Sequence, residues 1–208
     1  MFAALISGNI TVRYVSPKRK GPARTTVTVV LLHDRHIHLN PAGQARCLSE
    51  RIFFIMDEYF MRLAMKEAEA AFAEGEVPVG AVLVKKDRVI ASAYNKKEAF
   101  NDPTAHAELT VIREGAINSG NWRLTDATLY VTKEPCVMCA GAMVNARLGR
   151  LVYGCRDERY GAIESRHQLA HDPGLNHQIK VVSGVLENEC ADIIRRFFVK
   201  LRTINDKG

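Results

Sequence analysis

Two short motifs, DPTAHAE at residues 102–108 and PCVMC at residues 135–139, decide how the rest of this sequence is interpreted. They supply one imidazole, from His106, and two thiols, from Cys136 and Cys139. This donor set suits Zn²⁺, which prefers four tetrahedral nitrogen and sulfur ligands. Because the motifs provide three protein ligands, the fourth position would be left for water, as in a catalytic zinc site.

Glu108 lies two residues after His106, and we expect it to handle protons rather than to bind metal. Residues two apart on a helix of ~3.6 residues per turn point about 200° away from each other. The two side chains can therefore share a site only if the N-terminus of their helix points at the metal. Cys136 and Cys139 have the spacing at which one helix face presents both sulfurs. Two helix N-termini at the site would lower the pKa of both thiols.

Two other kinds of site use closely spaced cysteines. A closed structural zinc site would need a fourth protein ligand, and the motifs do not supply one. A redox-active pair of the CxxC type would leave the neighbouring His106 and Glu108 without a purpose. Both alternatives account for less of the pattern than a catalytic zinc site does.

The composition is that of a soluble globular protein with an ordinary core. The chain has 208 residues, of which 47% are hydrophobic and 25% charged. No apolar run approaches the ~20 residues of a membrane-spanning helix. Five cysteines, two of them in the metal motif, indicate a reducing compartment, and we expect a cytoplasmic protein. The net charge of +6 resides entirely in residues 1–55, so it is poor evidence that the catalytic body binds nucleic acid.

Residues 1–55 form a basic extension whose pattern differs from that of the rest of the chain. We expect this extension to be dispensable, with the true start of the protein at Met56 rather than upstream of it. An organelle transit peptide is a second interpretation, because the segment is rich in arginine and poor in acidic residues. A separate RNA-binding arm is a third. Three histidines of the extension are interpreted as a chance cluster rather than a metal site: His33, His36 and His38.

Hydrophobic periodicity from Met56 onward predicts helices that alternate with strands. The predicted helices cover residues 56–74, 106–117, 138–146 and 188–202. The predicted strands cover residues 79–84, 88–94, 127–132, 151–155 and 180–185. Asp57 and Glu58 would lie at the positive end of the first helix. This order predicts an α/β protein, a three-layer α/β/α sandwich with a mixed five-stranded sheet, in residues 56–208.

From Met56 to about Arg202 the sequence resembles the tRNA-specific adenosine deaminases of the zinc-dependent cytidine/deoxycytidylate deaminase superfamily. The pattern H-x-E followed by P-C-x-x-C is a signature of zinc nucleobase deaminases. The matching blocks are VPVGAVLV, DPTAHAE, PCVMCAGAM, GxxNH at residues 174–177, and EC with FF in the last helix. Bacterial guanine deaminases share much of the metal motif, and the C-terminal blocks favour the tRNA enzymes over them.

The resemblance implies a cytidine-deaminase-like fold, a homodimer and one zinc ion per subunit. It also implies hydrolytic deamination of adenosine to inosine at the wobble position of an arginine tRNA anticodon. The positions that match the family's zinc ligands are His106, Cys136 and Cys139. Glu108 matches the proton shuttle. A catalytically dead subunit that only binds RNA is disfavoured, because such proteins commonly lose this glutamate.

Four further positions match residues that meet the substrate in the family. Asn95 matches the residue that contacts the flipped-out base. Val79, Asp157 and Phe198 match residues that line the nucleotide pocket or the anticodon loop. Asp157 has an alternative as a surface carboxylate, and Phe198 has one as a core residue of an apolar helix face.

Three positions involve lysine or cysteine residues whose roles need separate interpretation. Lys133 stands where the family usually has an apolar residue before Glu-Pro-Cys, so it either meets substrate phosphate or faces solvent. Cys155 replaces a usual alanine, and we interpret it as a small buried hydrophobic residue. Cys190 matches a family cysteine and is interpreted as part of the core.

A deaminase of guanine or another free base or nucleoside is the remaining rival to the tRNA-specific function.

Overall fold

The computed structural model describes the backbone of residues 48–205 and the side chains of residues 53–203. Most of the basic extension, including its three histidines, lies outside the described residues. The division of the chain at Met56 therefore stays a prediction. Among the described residues, no helix is both long and apolar enough to cross a membrane.

The centre of the fold is one five-stranded sheet in the order β2-β1-β3-β4-β5. Its strands are β1 (Gly80–Lys85), β2 (Arg88–Tyr94), β3 (Ala127–Lys133), β4 (Arg150–Cys155) and β5 (Lys180–Val182). The first three strands pair antiparallel, and β3, β4 and β5 pair parallel. The predicted mixed five-stranded sheet is thus confirmed, with the last strand three residues shorter than expected.

Helices cover both faces of the sheet and complete the predicted three layers. They are α1 (Leu48–Glu74), α2 (Lys97–Phe100), α3 (Ala107–Ser119), α4 (Val137–Asn145) and α5 (Glu187–Asn205). The short α2 was not predicted, because four residues carry too little periodicity to be recognised. The helix α1 begins eight residues before the predicted start at Met56. The change in charge at Met56 therefore does not coincide with a helix boundary.

Two hydrophobic clusters fill the spaces between the layers. One contains Leu83 and packs the sheet against α3 and α4. The other contains Val82 and packs the opposite face against α1 and α5. Neighbouring residues of β1 thus point into different clusters, as expected for a strand that is apolar throughout and buried on both faces. Cys155 and Cys190 both belong to the second cluster, in agreement with their interpretation as core residues.

The helix α1 is fastened to the sheet by an ion pair between Asp57 and Arg150. The guanidinium of Arg150 donates to both carboxylate oxygens of Asp57, at 2.7 and 2.6 Å, and the hydroxyl of Tyr130 donates to the same carboxylate at 2.9 Å. Asp57 was expected to stabilise the positive end of its helix. That expectation is wrong, because α1 starts at Leu48 and Asp57 lies further along it, buried against β3 and β4.

Candidate metal centre and nucleobase pocket

Two helix N-termini converge on the predicted metal ligands. His106 is the N-cap residue of α3, and Cys136 is the N-cap residue of α4. Cys139 lies in the first turn of α4 and is buried. The loop before α3 is held by Asp102, whose carboxylate accepts from the backbone N–H of Thr104 at 2.8 Å. His106 was predicted as the first helical residue. Its backbone is extended, so it lies one position before the first residue of α3, Ala107.

The three ligand atoms lie at the separations that a tetrahedral zinc ion requires. His106 Nδ1 lies 3.8 Å from Cys136 Sγ and 3.5 Å from Cys139 Sγ, and the two sulfurs are 3.7 Å apart. Bond lengths of ~2.3 Å to sulfur and ~2.05 Å to nitrogen give tetrahedral separations of ~3.6 Å for each S···N pair and ~3.8 Å for S···S. The residues present therefore fit a zinc ion with three protein ligands.

The two thiols lie within hydrogen-bonding distance of each other, with their sulfurs 3.7 Å apart. Cys136 Sγ and Cys139 Sγ form a hydrogen bond, and this hydrogen bond lowers the pKa of Cys136 to about 3. The same hydrogen bond, together with burial, raises the pKa of Cys139. The expected lowering of both thiol pKa values thus holds for Cys136 and not for Cys139. Two adjacent thiolates need a cation between them, and zinc deprotonates a thiol that coordinates it.

Glu108 lies in the first turn of α3, next to the three ligands but separate from them. It is 4% exposed, and its Oε2 has no hydrogen-bond partner within the described part of the chain. Burial raises the pKa of this carboxyl group. A buried carboxylate oxygen without a partner is rare in folded proteins and costs stability. Its position beside the three candidate zinc ligands is the one that the predicted proton-transfer role requires.

A cavity of about 150 Å³ opens onto this cluster. Pockets that hold drug-sized ligands have volumes of ~300–1,000 Å³, so this cavity suits a single heterocyclic base. Four of the predicted site residues other than the cysteines line it, together with one of the two cysteines. The lining residues are Glu76, Val77, Val79, Asn95, Lys97, Glu98, His106, Glu108, Lys133, Glu134 and Cys136.

Asn95 lines the cavity and also holds its walls together. Its side-chain Oδ1 accepts from the backbone N–H of Ala107 at 3.0 Å, and its Nδ2 donates to the backbone carbonyl of Val77 at 3.2 Å. An asparagine amide has two donors and two acceptor lone pairs, so one of each remains. Val79, which is buried, accepts from the backbone N–H of Asn95 at 3.1 Å.

Asp157 and Phe198, the other two predicted substrate residues, do not line this cavity. Asp157 is 8% exposed; its carboxylate pairs with the ammonium of Lys133 and accepts from the backbone N–H groups of Arg159 and Tyr160 at 3.0 and 3.2 Å. Asp157 is thus a buried, fully engaged carboxylate rather than a surface one. Phe198 is 45% exposed on α5, with its ring centroid 5.5 Å from that of Phe197.

Sequence reasoning missed Glu134, which organises the loop after β4. Its Oε1 accepts three backbone N–H groups, from Ile163, Glu164 and Ser165, at 3.1, 2.8 and 2.9 Å. Its Oε2 accepts the N–H of Asp157 at 3.0 Å and the hydroxyl of Ser165. A Cβ atom at Gly161 would collide with this carboxylate, which explains the glycine at that position.

Glu76 plays a similar part on the other side of the cavity and was also missed. It is 1% exposed, and its Oε1 accepts the backbone N–H of Ala99 at 2.7 Å. This bond fixes the short helix α2, which carries Lys97 and Glu98 at the cavity. A carboxylate directly before apolar residues, in Glu76-Val77 and in Glu134-Pro135, was the available signal for both positions.

Residues 55–202 match the model of the MafB19-like deaminase family. A tRNA-specific adenosine deaminase from Haemophilus influenzae is 49% identical over 147 residues, which are 70% of this chain and 85% of that protein. A tRNA-specific adenosine deaminase from Bacillus subtilis is 48% identical over 146 residues, 70% of this chain and 91% of that protein. The match to the family model begins and ends close to the limits expected from the motifs.

Among solved structures, one from a study of A-to-I editing by tRNA A34 deaminases at the wobble position is 48% identical. It covers 65% of this chain and 98% of its own, with a TM-score of 0.63. A guanine deaminase from Nitrosomonas europaea has a TM-score of 0.56 at 20% identity, covering 80% of this chain and 97% of its own, and shares only the fold. By its motifs, its fold and these relatives, the chain belongs to the family of tRNA-specific adenosine deaminases.

Proposed function

We propose that this chain is a zinc-dependent deaminase that converts adenosine to inosine at the wobble position of an arginine tRNA anticodon. The observation that carries the proposal is the placement of Glu108, buried and without a partner for Oε2, beside the triangle of His106, Cys136 and Cys139. This arrangement combines three zinc ligands with a separate proton carrier. Hydrolysis of an amidine carbon–nitrogen bond needs both.

The proposed chemistry exchanges the exocyclic amine at C6 of adenine for oxygen. A zinc ion held by the three ligands would lower the pKa of water from ~15.7 toward ~7 and so supply a nucleophile at neutral pH. Glu108 takes the proton that the attacking water gives up and delivers it to ring N1. It then takes the proton of the C6 hydroxyl and delivers it to the departing amine, so that the C6–N bond breaks, the C6–O bond becomes a carbonyl and ammonia leaves. Proton transfer of this kind contributes ~10²–10⁴-fold to the rate.

The substrate side of the proposal rests on the size and lining of the cavity. A volume of about 150 Å³ admits a base and leaves its sugar outside. Bases of an anticodon loop are already unpaired, so presenting one costs less than extruding it from a duplex. Asn95 has one N–H and one lone pair left for the edge of that base. Val79 would contact the same base as a wall of the cavity.

We assign the remaining residues and partners by the family resemblance. Asp157 and Phe198 would act near the sugar or the anticodon loop, outside the cavity proper. The enzyme would work as a homodimer in the cytoplasm, with one zinc ion per subunit. Residues 1–55 would be dispensable for the reaction; if they are a transit peptide, the enzyme would act in an organelle instead.

The test is incubation of the purified chain with an arginine tRNA anticodon stem-loop, followed by a count of inosine at the wobble position. We expect inosine, loss of activity with a strong chelator, and recovery on addition of zinc. Metal analysis should find about one zinc ion per chain. Guanine is the comparison substrate: deamination of guanine with no inosine in the stem-loop would contradict the proposal.

A further inference from the structure

Lys133 lines the cavity and is held there by Asp157. It is the last residue of β3, and in the sheet it lies opposite Cys155, the last residue of β4. Its side chain is 26% exposed and that of Asp157 is 9% exposed, so the carboxylate is buried while the lysine side chain is partly open to solvent. Asp157 is itself fixed by two backbone N–H groups, from Arg159 and Tyr160. The lysine is therefore aimed by a rigid partner.

The charges around the cavity make this lysine unusual. Four carboxylates line it, those of Glu76, Glu98, Glu108 and Glu134. The lysines in the described lining are Lys97 and Lys133. Lys97 is half exposed and lies 3.7 Å from Glu98, a loose pair at the surface. Lys133 is thus the more firmly positioned of the two cations that an anionic ligand would meet.

The size of the cavity determines which part of a nucleotide meets Lys133. If the base fills the cavity, the ribose and its two phosphodiester groups remain at the mouth. A lysine ammonium has three N–H donors, and the single contact to Asp157 leaves donors for another acceptor. A phosphodiester oxygen is an acceptor of matching charge, and contacts of this kind position nucleic acids on proteins.

We propose that Lys133 binds a phosphodiester that flanks the deaminated adenosine, while Asp157 acts as the positioning residue that aims it. The inference rests on the proposed function and specifies its substrate as a nucleotide within a strand rather than a free base or nucleoside. Because the ammonium already lies in place, little side-chain freedom is lost on binding. The contact therefore favours RNA over an uncharged substrate that offers the same base.

The test uses arginine anticodon stem-loops in which one phosphodiester flanking the target adenosine is replaced by an uncharged methylphosphonate. Wild-type enzyme should lose about tenfold to a hundredfold in kcat/KM at one of the two linkages, the range for a hydrogen bond to a charged group. The variant Lys133→Met should lose a similar factor on the unmodified stem-loop and be insensitive to methylphosphonate at that linkage. For this variant, the slope of log kcat/KM against log salt concentration should be smaller in magnitude by about 0.7, as expected for the loss of one single-strand phosphate contact.

Lys85→Met is the matched control. The side chain of Lys85 is 23% exposed, and its Nζ lies 3.0 Å from Asp126 Oδ1. In the sheet, Lys85 lies opposite Ala127, at the other end of β3 from Lys133. This variant should behave as wild type on every substrate. Lys133→Arg, which keeps the charge, should retain sensitivity to the methylphosphonate.

Three results would overturn the inference. Wild-type enzyme that is insensitive at both linkages lacks the contact, and this result requires no variant. If Lys133→Met enzyme loses the same factor as wild type when that linkage is changed to methylphosphonate, another group makes the contact. Wild-type enzyme that forms no inosine on the unmodified stem-loop overturns the proposed function and, with it, this inference, so the two failures are distinguishable.

Discussion

The side-chain carbonyl of Asn95 accepts the backbone N–H of Ala107 at 3.0 Å, which ties the end of β2 to the residue directly after His106, a candidate zinc ligand. His106 is the N-cap of α3, so this bond fixes the peptide that sets the direction of its imidazole. The amide of Asn95 also donates to the carbonyl of Val77. Asn95 is therefore a support of the metal site as well as a candidate contact for the base.

Replacement of Asn95 should separate these two roles. In Asn95→Ala the buried N–H of Ala107 loses its partner, which costs ~1–3 kcal/mol of unfolding free energy. Loss of a group that orients a ligand typically lowers metal affinity ~10–100-fold. Asn95→Asp keeps the acceptor for Ala107 and should keep zinc, but it should lose activity because it has lost the amide N–H groups. Competition with a chelator measures zinc affinity; equal affinity in Asn95→Ala and wild type would contradict the supporting role.

Substitution of Glu108 by glutamine should abolish proton transfer without emptying the metal site. We expect Glu108→Gln to retain zinc and to lose ~10²–10⁴-fold in kcat. The free energy of unfolding should not fall, because an uncharged side chain of the same shape replaces a buried carboxylate whose Oε2 lacks a partner. Single-turnover rates, metal analysis and urea unfolding provide the three readouts. Full activity would refute the assignment, and loss of zinc would make Glu108 a ligand.

Glu134 should be important for stability rather than for chemistry. Its carboxylate accepts five hydrogen bonds from the segment between Asp157 and Ser165. In Glu134→Gln one oxygen can keep its donors, but the amide N–H₂ that replaces the other would face the donors of Asp157 and Ser165. We expect a loss of about 2–4 kcal/mol, since hydrogen bonds to a charged group contribute ~1.5–3 kcal/mol each. Urea unfolding at neutral pH measures this loss.

The same carboxylate predicts how stability depends on pH. Burial raises its pKa, but hydrogen bonds from Ser165 and from backbone N–H groups outweigh burial and lower the pKa of Glu134 below its usual value. A lowered pKa in the folded state stabilises the protein above the unfolded pKa of ~4.3, and this stabilisation is lost as the pH falls below that value. The difference in unfolding free energy between wild type and Glu134→Gln should therefore shrink below about pH 4. A constant difference from pH 7 to pH 3 would contradict this account.

The sequence predicts those features that depend on donor chemistry and short-range periodicity. His106, Cys136 and Cys139 could be grouped because their donor types fit zinc, and the structure brings their ligand atoms within 4.8 Å of one another. Glu76 and Glu134 could not be found in this way. A single charge carries no period, and the partners of Glu134 lie up to 31 residues away along the chain. The ion pair of Asp57 with Arg150 spans 93 residues and is equally invisible to local patterns.

That ion pair should be a strong contributor to the attachment of α1. Removal of one partner of a buried pair leaves an uncompensated charge and typically costs ~3–5 kcal/mol. Asp57→Asn and Arg150→Met should each show a loss of this size in urea unfolding. The double variant should lose less than the sum, because it leaves no lone buried charge. Additive losses would show that the two side chains act independently.

Deletion of residues 1–55 provides the last prediction. The helix α1 begins at Leu48, so a chain that starts at Met56 loses two turns of it. The residues removed from that helix include Phe53, Phe54 and Ile55, all exposed, whereas the buried residues Asp57, Phe60 and Met61 remain. The buried contacts that Asp57, Phe60 and Met61 make with the sheet are thus kept, and we expect a Met56–Gly208 chain to fold and to deaminate the stem-loop at a rate similar to that of the full chain. An insoluble or inactive product would show that the extension is part of the working enzyme. A product with lower activity and a flatter salt dependence would instead support the RNA-binding arm.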